Sequence, residues 1–130
     1  RSTARALDEA MAARGLIPHA RSLVEVSPDA RVQEGVRTVL VQLAAARPVP
    51  ERLIPPRLTA SEDGGAALAW GGAEDGGAAR ITVRRVGLRL EVWVWAAGRT
   101  LLEAALPTVR LPPETVLLLS TVTHAVRPDP

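Results

Sequence analysis

The stretch from Arg80 to Ala97, RITVRRVGLRLEVWVWAA, leaves the chain the least freedom in how it folds. Its β-branched and apolar residues alternate with polar and charged ones, the period of a strand with one face on a core, and Val86-Gly87 interrupts the pattern where a turn belongs. Pairing Arg85 with Leu88 sets Val83 against Leu90 and Ile81 against Val92. One face then carries Ile81, Val83, Leu88, Leu90, Val92, Val94 and Ala96, and the other Arg80, Thr82, Arg84, Arg89, Glu91, Trp93 and Trp95. A three-residue loop would shift the pairing by one and place Ile81 and Val83 among Arg89 and Glu91, so the pattern selects a two-residue loop. Val86 is β-branched and resists positive φ, which favours a type II turn with Gly87 third.

A hairpin needs something to cover its apolar face, and the best candidate follows Ser27. Ser27-Pro28-Asp29 reads as an N-cap, a proline at N1 and an acid in the first turn. Val32, Val36, Val39, Leu40 and Leu43 recur at helical spacing, so the helix should run to about Ala46. A shorter helix is expected over residues 2–14, with Ser2 or Thr3 as N-cap and Gly15 just past its end. Between them, Leu23 to Val26 suits a short strand or a further helical turn.

Four prolines between Arg47 and Pro56 make an extended connector. Beyond it Glu62-Asp63-Gly64-Gly65-Ala66-Ala67 recurs twelve residues later as Glu74-Asp75-Gly76-Gly77-Ala78-Ala79. That spacing is one strand plus one turn, with Asp-Gly supplying positive φ, so Arg57 to Ala60 and Ala66 to Gly71 are expected to precede the hairpin in a meander. A Ca²⁺-binding reading of these acidic turns lacks the alternating acidic ligands and the bidentate Glu of such loops. Leu68 and Trp70 share parity, which assigns Trp70 to the core. Thr100-Leu101-Leu102-Glu103 has capping-box spacing and reads as the start of a short helix ended by Pro107. Residues Pro113 to Val126 combine a Pro-Glu start and helical spacing of Leu118, Val122 and Ala125 with six β-branched residues, and helix is the preferred of the two readings.

The expectation is therefore a single α+β domain over residues 1–130. N-terminal helices, to about residue 47, pack on an antiparallel meander of about four strands, joined by the connector 47–56, with a C-terminal segment that is helix or strand. The chain begins at Arg1, without an initiator Met, which leaves room for a longer parent protein. No run approaches the 18 apolar residues of a transmembrane helix, and a cytoplasmic location is expected.

Lys, Asn, Phe, Tyr and Cys are all absent, and Arg supplies all 16 basic residues. The missing types mostly use AT-rich codons, so the bias points to a bacterium with a GC-rich genome. The sequence pI of 10.8 reflects only that nothing titrates between His and Arg, because the net charge is +2. Near neutrality lacks the global excess of a nucleic-acid binder.

The same absences exclude a thiol nucleophile, a Schiff base, a P-loop lysine and a phenolic acid. His19 and His124 alone could act as imidazole bases, and no second ligand stands at metal spacing from either, so no metal or cofactor is expected. Ser120 and His124 would be adjacent on a helix and could serve as nucleophile and base, but no Gly-x-Ser-x-Gly elbow surrounds the serine.

What remains is the polar face of the hairpin. From Arg80 to Arg99 there are five Arg and one acid, a local +4 in a chain that is slightly acidic elsewhere. Arg80, Arg84, Arg89, Trp93 and Trp95 are the candidate binding residues, since Trp and Arg are the types most enriched at interface hot spots. A protein partner or self-association is the expected use, in a non-enzymatic interaction or regulatory domain. The alternative is a weak single-stranded nucleic-acid binder that stacks bases on the Trp pair, and a small hydrolase using Ser120 and His124 stands third. Against all three stands a purely structural role, in which the segment after Thr100 or the last segment covers the Trp pair and the Arg stems reach past it to water.

Overall fold

The computed structural model describes residues 6, 23–45, 56–71, 79–96, 98–107 and 109–124. Apart from residue 6, the expected helix over 2–14 lies outside them, as do the 47–55 part of the proline connector and the whole second Glu-Asp-Gly-Gly turn. Within them the fold is α+β. A five-stranded antiparallel meander, β1 (Arg57–Ala60), β2 (Ala66–Trp70), β3 (Ala79–Val86), β4 (Arg89–Ala96) and β5 (Arg99–Leu106), runs in sheet order β1-β2-β3-β4-β5. The helices α1 (Leu23–Val26), α2 (Ala30–Ala45) and α3 (Pro113–His124) share one core cluster with the sheet's apolar face. No helix among the described residues is long and apolar enough to cross a membrane.

The hairpin stretch forms β3 and β4, but its register differs from the expected one by two residues. Val86 pairs with Arg89, Val83 with Val92 and Ile81 with Val94, so the loop is Gly87-Leu88. Gly87 takes φ +62 at the first central position while Leu88 keeps an ordinary negative φ, which makes a type II′ turn rather than type II. The primed turn matches the right-handed twist of the strands it joins, and that outweighs the preference read from Val86. A shift of two preserves parity, so every face assignment stands except that of Leu88, which moves to the tip and is 84% exposed.

α2 covers the apolar face as its spacing required. Val32, Val36, Val39, Leu40 and Leu43 are fully buried, as are Ile81, Val83, Val92 and Val94 beneath them. Gly35 lets helix and sheet approach: a Cβ there would lie 3.0 Å from Leu90 and Val109 side chains and 3.4 Å from Val83. The N-cap is Asp29 rather than Ser27. Asp29 Oδ1 accepts the Arg31 N–H at 2.9 Å, and its Oδ2 lies 3.3 Å from Arg85 Nε at the end of β3. Ser27 Oγ instead accepts the Asp29 N–H at 3.2 Å and donates to the Gly64 carbonyl, tying the helical layer to the β1–β2 turn. Leu23 to Val26 is helical, the second of its two readings.

The first Glu-Asp-Gly-Gly copy forms the expected turn. Asp63 and Gly64 have φ of +57 and +74, and the Gly65 N–H donates to the Glu62 carbonyl at 3.1 Å. Trp70 is buried, as its parity with Leu68 implied. Residues 113–124 are helical, with Pro113 at the first helical position and Val116 and Leu119 facing the core.

One element overturns its expectation. Thr100 to Leu106 is not a capped helix but most of β5, a fifth strand. Gly98, at φ +79, turns the chain back along the open edge of β4. Leu102, Ala104 and Leu106 then oppose Val94, Val92 and Leu90. A seven-residue helix would sit below the length at which helices sustain themselves, whereas the edge supplies backbone partners along the segment, broken only by a register shift at Val94/Trp95 that leaves Leu101 unopposed.

Candidate interaction face

With α1, α2 and α3 on one side, the register arranges the outward side chains in rows across the sheet. The first row runs Arg57, Ala69, Arg80, Trp95, Thr100, and the second Thr59, Ala67, Thr82, Trp93, Glu103. A third carries Arg84, Glu91 and Ala105. Neither segment expected to cover the Trp pair does so, since β5 lies beside β4 in the plane of the sheet and α3 packs against the opposite face. Trp93 is 42% exposed and Trp95 is half-buried. With Thr82, Arg80, Arg84 and the Ala60 to Glu62 corner they line an open groove of about 790 Å³.

The third row is electrostatically closed. Glu91 Oε1 accepts from Arg84 Nε at 2.8 Å and from the Trp93 indole N–H, also at 2.8 Å. Arg84 Nη1 reaches Asp63 Oδ2 at 3.0 Å. The Arg84 hydrogen bond, joined by that of Trp93, holds the Glu91 carboxyl below the ordinary range. Its counterpart, chiefly the bond to Glu91, raises the Arg84 guanidinium further above its usual value. The indole is therefore oriented by a charge-assisted bond while its ring faces outward.

The five Arg of the local cluster do not act as one patch. Arg80 is exposed on the face beside Trp95, and Arg84 is paired from both sides. Arg85 turns to the helical layer and meets Asp29. Arg89 stands beside the β3–β4 turn, opposite Val86, and donates to the Ala105 carbonyl at 3.3 Å. Neither Arg84 nor Arg89 is directly across from a Trp: Thr82 opposes Trp93 and Arg80 opposes Trp95. Arg57, Asp63 and Glu103 join the face, although the sequence pattern assigned Asp63 to a turn and Glu103 to a helix cap. The alternation around buried Leu58 places Arg57 and Thr59 outward, but their alignment with Arg80 depends on cross-strand register.

Ser120 and His124 lie on the backbone of α3 one helical turn apart, and His19 is outside the described residues. Among the described residues no three His, Asp or Glu side chains gather as a metal site. No family model, curated protein or solved structure matches the chain.

Proposed function

We propose that the chain is a non-enzymatic protein-interaction or regulatory domain that binds through the outer face of its sheet, in the cytoplasm of a bacterium with a GC-rich genome. The observation that carries this reading is Trp93, large, 42% exposed and fixed by Glu91 in a groove that no described helix covers. An aromatic anchor whose polar atom is already satisfied loses little conformational freedom on docking, and Trp beside Arg is the composition of interface hot spots. Single-stranded nucleic acid is the competing partner, because Trp93 and Trp95 could stack bases.

The test is a paired variant, Trp93→Ala with Trp95→Ala, measured for self-association by sedimentation and for retention of partners cross-linked in source-cell extract. Loss of association with the melting temperature held within about 5 °C supports the reading. Unaltered association in a folded variant overturns it. Tight, strongly salt-dependent binding of the unaltered protein to random single strands would replace it with the nucleic-acid function.

A further inference from the structure

The sheet's outer face is electrostatically open at one end, where Arg80 lines the groove and Arg57 stands just outside it. Arg57 and Arg80 stand on either side of Ala69 in one row of the sheet, two strand spacings or about 10 Å apart at their backbones. Both are exposed, and neither side chain has an ion pair or hydrogen bond among the described residues. Ala69 is too short to fill the space between them. That distance is within the combined reach of two Arg side chains, so both guanidinium groups can close on a single carboxylate. Trp95 adjoins Arg80 directly, with Trp93 one row further. At the other end Arg84 is neutralised, and Glu91 and Glu103 face outward.

Resting on the interaction reading above, we propose that the occupant of this groove is an acidic-apolar segment of a partner protein. Its carboxylate lies between Arg57 and Arg80 and its apolar side chain against Trp93 and Trp95. Charge complementarity favours a peptide over a nucleic-acid strand. A strand presents a phosphate at every nucleotide and would carry some of them past Glu91 and Glu103, whereas a peptide places its negative charge only where the two open cations are.

The experiment uses a fluorescein-labelled peptide with the core Glu-Glu-Ser-Leu-Leu between Gly-Ser flanks, its Gln-Gln counterpart, and a labelled oligothymidylate, titrated with the whole chain and followed by anisotropy. The Glu peptide is expected to bind roughly tenfold more tightly than the Gln peptide, the effect of a charge-assisted contact. Arg57→Gln with Arg80→Gln should erase that preference at unchanged melting temperature, while Trp93→Ala weakens both peptides alike. If Trp93→Ala weakens binding but the Arg pair variant keeps the preference, the face stands and the acidic partner falls. If neither variant changes binding, or neither peptide binds, the proposal is overturned. So it is if oligothymidylate binds more tightly than the Glu peptide and depends on the same two Arg.

Discussion

Glu91 holds two donors on one oxygen, and that is where pH acts on the outer face. Because its carboxyl is held below the ordinary range by Arg84 and Trp93, the bonds it makes are complete above the unfolded value of about 4.3 and fail as pH falls through the lower folded value. Trp93 emission should thus be steady from neutral pH down to about 5 and change only in stronger acid. Comparison with Trp93→Phe isolates its signal from Trp70 and Trp95, and Glu91→Gln should remove the titration. A second position is decided by space rather than charge. A Cβ on Gly65 would meet the Val83 carbonyl oxygen at 2.6 Å, Ser61 Oγ at 2.5 Å and Arg84 Cβ at 2.9 Å. Two of these three atoms cannot rotate away, so Gly65→Ala should destabilise by about 1 to 3 kcal/mol in a denaturant melt. Leu90, buried beneath Gly35, should cost about 2 to 5 kcal/mol on truncation to Ala, and a loss under about 1 kcal/mol would remove it from the core.

Helix α2 and strand β5 show how far local signals carry. The α2 N-terminus was readable to within two residues, since Ser27-Pro28-Asp29 contains every group involved. Only the geometry shows that Asp29 caps while Ser27 reaches Gly64. Asp29→Ala should cost about 1 kcal/mol in melting experiments. Asp29→Asn keeps an oxygen for the Arg31 N–H and should cost less than half as much, because the pair with Arg85 is half-exposed. The Thr100 capping box misled because the same residues alternate acceptably as a strand, and an unpaired edge of β4 was beside them. If Thr100 were an N-cap, Thr100→Val would cost about 1 kcal/mol, but in β5 the β-branched Val should leave stability within about 0.5 kcal/mol.

The layered arrangement puts the groove on the side of the sheet away from the described helices, so its variants and the core variants should separate cleanly. Trp93→Ala is expected to change binding with little change in melting temperature, and Leu90→Ala to do the reverse, because the two side chains lie on opposite sides of one strand. Period-two alternation in Arg80 to Ala97 and helical spacing from Val32 to Leu43 determined which side chains enter the core. Those patterns are local, and a two-residue register shift leaves parity intact. The candidate face was legible in the same way, as Arg80, Thr82, Arg84, Glu91, Trp93 and Trp95. Tertiary structure alone decided which of its charges are open. Arg84 is closed by Asp63 from a turn 21 residues earlier, and Arg57 joins Arg80 only through two successive strand pairings. It also decided that residues 99–106 form a strand, since a segment with two acceptable local conformations takes the one whose backbone partners another part of the chain supplies.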